Sequence, residues 1–164
     1  MQTSLPLLWP DEWATQAFAH TLARLPELGQ AFITLQGDLG AGKTTLARHL
    51  LQALGVDGRI KSPTYAIVES YETAAFPIWH FDFYRFNDPQ EWEDAGFRDI
   101  FASPGLKLVE WPQKAEGLLP LADLELALQT LNESARKATL HSHTPLGATL
   151  LQGLAALTAA GPAA

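Results

Sequence analysis

The sequence contains no cysteine and comparatively few basic residues. The absence of cysteine excludes disulfide bridges, thiolate metal sites and thiol nucleophiles, and it suits a reducing compartment. Eleven Lys and Arg stand against 18 Asp and Glu, which gives a formal net charge of −7. A surface field of this sign repels a phosphate backbone, so we do not expect a broad, autonomous nucleic-acid platform.

The chain also lacks the long apolar runs that membrane insertion requires. Pro6, Pro10 and Asp11 interrupt the start of the chain before a signal-peptide core is reached. The longest uncharged stretch, residues 138–164, contains His, Pro and Gly, and its apolar part is shorter than the ~20 residues of a membrane span. We therefore expect a soluble, cytoplasmic protein without membrane contact. Its length predicts one domain over residues 1–164, with a C-terminal helix and tail over 146–164.

The apolar pattern predicts alternating helices and strands along this domain. Helices are predicted over residues 11–25, 43–54, 88–96, 97–101 and 146–157. Strands are predicted over residues 31–36, 65–71, 77–84, 106–111, 124–130 and 137–141, with 65–71 and 77–84 forming an antiparallel hairpin. We expect an α/β fold of three layers, in which helices flank one mixed sheet.

A glycine-rich segment between the first predicted strand and its helix carries the strongest chemical signal. Its residues are Gly37, Asp38, Leu39, Gly40, Ala41, Gly42, Lys43 and Thr44. Glycines let the backbone N–H groups converge on an anion at a helix N-terminus, the lysine reaches the terminal phosphates, and the hydroxyl supplies an oxygen to Mg²⁺. The segment predicts a nucleoside triphosphate site in a sheet like that of P-loop NTPases, and we include Thr45 among the nucleotide-binding residues.

Phosphate chemistry also needs an acid beside the metal, usually at the end of a neighbouring strand. Asp82 and Glu110 both end apolar strands, and each is a candidate for binding Mg²⁺ or orienting the attacking water. Thr64 lies in Ser62-Pro63-Thr64-Tyr65, which fits a switch segment that senses the terminal phosphate, or a Ser-Pro turn. Trp111 fits either a contact to the nucleotide or loop, or a core position. His80 shares the strand face of Asp82 and fits either a structural role or assistance to a water or a metal.

Four ordered segments together resemble the TsaE family, the bacterial ATPases of tRNA threonylcarbamoyladenosine biosynthesis. They are residues 37–44, 61–65, 80–85 and 108–112, and the resemblance covers roughly residues 5–150. It implies a P-loop fold that binds ATP and Mg²⁺ and acts with TsaD and TsaB-like proteins on adenosine 37 of tRNA, with tRNA contacted indirectly. Carried over by residue, it implies Lys43 on phosphates, Thr44 on the metal, Thr64 in a switch, Asp82 and Glu110 at the metal or water, and Trp111 beside the nucleotide.

Other functions for a phosphate-binding loop remain open at this point. A small-molecule kinase is the main alternative, although such enzymes usually close a lid with several arginines and the six arginines here do not cluster. A GTPase lacks support because no Asn-Lys-x-Asp segment is present to read guanine. A module that binds ATP without useful hydrolysis is the non-enzymatic alternative.

Overall fold

The computed structural model describes residues 3–159, whose seven strands form one mixed sheet. The strands are β1 (Ser4–Trp9), β2 (Phe32–Gln36), β3 (Val68–Glu72), β4 (Pro77–Asp82), β5 (Leu106–Glu110), β6 (Leu124–Thr130) and β7 (Arg136–Ser142). The helices are α1 (Glu12–Ala23), α2 (Lys43–Ala53), α3 (Pro89–Asp94), α4 (Phe97–Ala102) and α5 (Pro145–Ala159). The tail predicted beyond α5, over residues 160–164, lies outside the described residues.

The four central strands run parallel and bring their carboxyl ends to one edge of the sheet. The spatial order is β1-β7-β6-β2-β5-β4-β3, with β6, β2, β5 and β4 parallel to their neighbours in this group. The outer pairs β1/β7, β7/β6 and β4/β3 are antiparallel. In open sheets of this kind ligands bind beyond the carboxyl ends of the parallel strands. The ends of β2, β4 and β5 therefore define the edge where a site is expected.

Two separate apolar clusters give the molecule its three layers. Alternate residues of each buried strand point to opposite faces, so Ile33 packs with α1, α2 and α5, whereas Phe32 packs with α3 and α4. The second cluster is aromatic, with the rings of Trp92 and Phe101 stacked at 5.5 Å between centroids. The expected sheet flanked by helices on both faces is thus confirmed.

Acidic side chains cap the starts of α1 and α3. The Asp11 carboxylate accepts a hydrogen bond from the Ala14 N–H at 3.0 Å, which caps α1. The Asp88 carboxylate accepts from the Gln90 N–H at 2.9 Å, and Pro89 takes the first helical position of α3. The helix starts predicted near residues 11 and 88 are thus confirmed.

Two strand predictions were wrong in part. The hairpin strand predicted from Tyr65 begins only at Val68, because residues 64–66 form a turn and Ile67 adopts a left-handed conformation with φ of 70°. Its partner ends at Asp82 instead of Tyr84. The edge strand β1 was not predicted, since Pro6 interrupts it; an edge position tolerates proline, which needs no partner for a missing N–H.

Among residues 3–159, no helix has both the length and the apolar character needed to cross a bilayer.

Candidate functional site

The glycine-rich loop connects the end of β2 to the start of α2. Gly37, Gly40 and Gly42 have φ values of 149°, 81° and 103°, which side-chain-bearing residues rarely adopt. A Cβ atom on Gly37 would also lie 2.6 Å from the Leu128 carbonyl oxygen on β6. Glycine is therefore required at Gly37 for two reasons, its backbone conformation and its close approach to the neighbouring strand.

Lys43 begins α2 and turns its amine back into the loop. The residue is buried, and Nζ donates to the carbonyl oxygens of Gly37 and Asp38 and lies 3.8 Å from the centroid of the Trp111 ring. Burial lowers the pKa of the Lys43 amine, and the carboxylates of Glu110, Asp82 and Asp38 oppose that shift. A cation is thus held among loop carbonyls, acidic side chains and an aromatic face.

Glu110, at the end of β5, is joined to the loop helix by a hydrogen bond. The Thr44 hydroxyl donates to Glu110 Oε1 at 2.8 Å, and the other carboxylate oxygen lies 2.6 Å from His80 Nε2 on β4. Glu110 and His80 are each 1% exposed, so the contact between them is shielded from water, while Thr44 is half-buried. Glu110 therefore connects the first turn of α2 to the neighbouring strand.

Asp82 lies beside Glu110 because the two residues are register partners in the parallel pair β4/β5. Its carboxylate accepts from the Thr64 hydroxyl at 3.0 Å and from the Tyr84 N–H at 2.9 Å. The Ser62 hydroxyl lies 2.9 Å from that of Thr64. The segment before β3 is thus anchored to the acidic end of β4.

Two side-chain-bearing residues near these acids have a left-handed backbone. Ile67 follows the Ser62–Tyr65 segment with φ of 70°, and Trp111 follows Glu110 with φ of 56°. Such conformations are costly, above all for a β-branched residue, and they concentrate at functional sites. Among the described residues other than glycine, only these two have positive φ, and both adjoin the candidate acids.

A cavity of about 280 Å³ adjoins the glycine-rich loop. Its lining includes Ala41, Gly42 and Thr45 from the loop and α2, and its other lining residues are Trp9, Glu12, Thr15, Glu133, Ser134 and Arg136. Trp111 does not line it. Thr45 therefore lies at the cavity, whereas Trp111 lies at the Lys43 amine.

Arg136 is a site residue that the sequence did not single out. Its guanidinium donates to the carbonyl oxygens of Ala41 and Gly40 at 3.1 and 3.3 Å, although it is 95 positions distant from Ala41. The same side chain donates to the Asn132 carbonyl oxygen at 2.8 Å in the turn between β6 and β7. It joins that turn to the loop, and no local motif marks it as doing so.

The oxygen donors at this edge suit Mg²⁺. The Thr44 hydroxyl and the carboxylates of Glu110 and Asp82 are hard ligands of the kind Mg²⁺ prefers. Within residues 3–159 no group of three or more His, Cys, Asp or Glu residues is arranged to hold a metal by itself. A hydroxyl and two carboxylates therefore fit a Mg²⁺ ion whose other ligands are phosphate oxygens and water.

The structure brings most of the predicted site residues together. A connected set of contacts at the carboxyl ends of β4 and β5 joins Lys43, Thr44, Thr64, Asp82, Glu110 and Trp111. Asp38 contributes its carbonyl oxygen to the Lys43 amine, and Leu39 is 68% exposed at the loop tip. The functional roles of these residues stay predictions.

Comparison with known proteins shows which family this chain resembles. A family model described as threonylcarbamoyl adenosine biosynthesis protein TsaE matches residues 9–138. The tRNA threonylcarbamoyladenosine biosynthesis protein TsaE of Haemophilus influenzae is 41% identical over 90% of this chain and 96% of its own length. Its Bacillus subtilis namesake is 36% identical over 79% of each chain.

A solved structure resembles the fold over nearly its full length. The crystal structure of YdiB from Bacillus subtilis superposes with a TM-score of 0.79 at 27% identity, covering 96% of this chain and 98% of that one. The family match includes the glycine-rich loop, both acids and Arg136. With this agreement of sequence and structure, the chain belongs to the TsaE family of threonylcarbamoyladenosine biosynthesis proteins.

Proposed function

We propose that the protein binds ATP with Mg²⁺ at the glycine-rich loop and hydrolyses it in support of threonylcarbamoyl modification of adenosine 37 in tRNA. Its partners in this proposal are TsaD and TsaB-like proteins, tRNA is contacted through them, and the compartment is the cytoplasm. The relatives' names refer to biosynthesis of this modification, which supports the pathway. Support for ATP chemistry comes from the site itself.

The contact set around Lys43 is the observation that carries the proposal. A buried amine, a hydroxyl at the first turn of a helix and two carboxylates converge at the ends of parallel strands. A triphosphate in the loop would meet backbone N–H groups and the positive end of α2, while Lys43 would stabilise the terminal phosphates. These groups match the parts from which P-loop enzymes stabilise phosphoryl transfer.

The two acids suit different tasks in hydrolysis. Thr44 and Glu110 are already hydrogen bonded, so together they would hold Mg²⁺ beside the phosphates. Asp82 bonds Thr64 in the segment that precedes β3, so a change at the terminal phosphate would reach that segment through this contact. Bound Mg²⁺ would neutralise charge developing on the phosphate oxygens.

The cavity beside Gly42 and Thr45 would take the nucleoside. It adjoins the loop, Trp111 is not among its lining residues, and Arg136 and Glu12 supply charged groups of both signs at its wall. The volume of about 280 Å³ is near the lower end of small-ligand pockets, which fits a base and ribose whose phosphates lie outside it. Trp111 is thus assigned to the phosphate end, through its contact with Lys43.

Dependence on partner proteins fits the surface around the site. Leu39 at the loop tip and Tyr65 next to Thr64 are 68% and 83% exposed. Large apolar side chains around a polar site are a common feature of protein interaction surfaces. The overall charge of −7 favours docking to proteins over direct capture of tRNA.

Calorimetry with ATP and GTP at millimolar Mg²⁺ tests nucleotide binding, and phosphate release measured with and without the partner proteins tests hydrolysis. We expect binding of ATP by the wild type, a loss of at least about tenfold in affinity for Lys43→Ala, and hydrolysis that requires the partners. Lys107→Ala is the matched control, because Lys107 is also a buried lysine with a lowered pKa but lies at the opposite end of β5.

A reconstituted tRNA modification assay tests the pathway assignment. Lys43→Ala should lose multiple turnover, while Lys107→Ala should retain it if it folds normally. Wild-type protein that binds no nucleotide contradicts the proposal at its first step. Formation of a phosphorylated metabolite by the isolated protein would instead favour the small-molecule kinase.

A further inference from the structure

The His80 side chain makes a single polar contact within the described part of the chain, and that contact is to Glu110. Nε2 lies 2.6 Å from Glu110 Oε2, while Nδ1 is buried without a hydrogen-bond partner among the described residues. A buried polar group with unsatisfied capacity lowers stability, so packing alone would favour an apolar residue at this position. The contact to Glu110 therefore needs an explanation beyond packing.

We propose that His80 is a positioning residue that orients Glu110 toward Thr44 and the Mg²⁺-bound nucleotide. This inference rests on the function proposed above, because it assigns a task at the same site. His80 would touch neither the nucleotide nor the ion and would act only through the carboxylate. A ligand-holding side chain commonly depends on such a neighbour, whose loss weakens metal affinity or activity by about 10–100-fold.

The direction of the hydrogen bond follows from the chemistry of its two groups. An ionised carboxylate can only accept, so the proton lies on Nε2 and is donated to Oε2. Oε1 is then left to accept from the Thr44 hydroxyl at 2.8 Å. The imidazole thus determines which carboxylate oxygen faces the first turn of α2.

Without that donor, Glu110 would retain the Thr44 hydroxyl as its one side-chain hydrogen-bond partner among residues 3–159. The Lys43 amine attracts the same carboxylate, because the Glu110 charge raises the pKa of that amine against the effect of burial. Removal of the imidazole would free the carboxylate to turn toward this cation and away from Thr44. The expected defect is therefore in the coupling between Mg²⁺ and nucleotide, with a smaller effect on the phosphate-binding loop itself.

The test compares His80→Leu with His80→Gln in the full chain. Leucine has no donor, whereas the glutamine amide keeps an N–H that can reach Glu110. Leu140→Ala is the control for lost stability, because Leu140 is a buried residue of β7, which does not adjoin β4 or β5. For each variant, calorimetry measures affinity for a non-hydrolysable ATP analogue across a Mg²⁺ titration and in EDTA, and thermal melting records stability.

We expect wild-type affinity to rise with Mg²⁺, and His80→Leu to need at least tenfold more Mg²⁺ for the half-maximal effect. Affinity in EDTA should stay within threefold of wild type, His80→Gln should recover part of the Mg²⁺ response, and Leu140→Ala should melt earlier with its Mg²⁺ response unchanged. A Mg²⁺ response of His80→Leu within threefold of wild type overturns the inference while the proposed function stands. Equal losses with and without Mg²⁺ would make His80 merely structural and also overturn it. Wild-type protein without nucleotide binding removes the proposed function and this inference together.

Discussion

Substitution of Thr44 by valine removes the hydroxyl that donates to Glu110 and changes little else. Threonine and valine have nearly the same volume and similar helix propensity, so α2 itself should be almost unaffected. The lost bond is 2.8 Å long and ends on an acceptor that is 1% exposed. Water therefore cannot readily replace the missing donor.

The expected cost follows from these two facts. Hydrogen bonds to charged groups contribute about 1.5–3 kcal/mol, and a buried acceptor left unsatisfied carries a penalty of similar size. The Glu110 carboxylate keeps its contact with His80, which places the estimate near the middle of that range. We expect Thr44→Val to lower the free energy of unfolding by about 2 kcal/mol.

Urea denaturation of the nucleotide-free protein measures this quantity, with an unchanged m value as the sign that the unfolded state is unaltered. Thr44→Ser keeps the hydroxyl and should lose clearly less stability. Thr45→Val is the matched control, since it makes the same change one position later on a side chain that forms no hydrogen bond within the described residues. If Thr44→Val and Thr45→Val differ by less than about 0.5 kcal/mol, the energetic role assigned to the Thr44–Glu110 contact is wrong.

Three further outcomes are expected. Gly37→Ala should destabilise the protein by about 1–3 kcal/mol more than Gly40→Ala in the same denaturation assay, because a Cβ at Gly37 meets the Leu128 carbonyl oxygen and one at Gly40 meets nothing within 4 Å; equal losses would contradict this. Burial lowers the pKa of Lys43, so the unfolded chain binds its proton more tightly, and the free energy of unfolding should rise with pH between the lowered value and 10.5. Lys43→Met should make the free energy of unfolding rise less steeply with pH, as measured by urea denaturation at increasingly alkaline pH. An unchanged dependence on pH would refute the lowered pKa of Lys43. Arg136→Gln should weaken ATP binding about tenfold by releasing the loop carbonyls, as read by calorimetry, whereas wild-type affinity would exclude a role in loop geometry.

The glycine-rich loop and the ends of most elements were open to prediction because they depend on neighbours in sequence. Helix caps at Asp11 and Asp88 involve side chains two or three positions from the N–H groups that they accept from. The apolar strand before Gly37 and the amphipathic helix after it are likewise visible as local patterns. Such features are set by backbone sterics and side-chain periodicity over a few residues.

The start of β3 and the existence of β1 were missed for two different reasons. Tyr65 and Ala66 have strand-like neighbours, but Ile67 turns left-handed where its N–H donates to the Pro63 carbonyl oxygen at 2.7 Å. β1 carries a proline, and its place in the sheet depends on β7, whose residues follow their partners in β1 by about 130 positions. Propensity is a weak guide where distant pairing decides the outcome.

In the candidate site, too, the sequence was enough to identify some residues, whereas other contacts depend on the tertiary structure. Residue types and spacing were enough to nominate Lys43, Thr44, Asp82 and Glu110, since each is needed by phosphate chemistry and follows a recognisable element. Only the order and register of strands that are separated in sequence bring His80 to Glu110 and let Arg136 donate to the loop carbonyls. That arrangement depends on how two apolar clusters pack on opposite faces of the sheet, and no local segment contains that information.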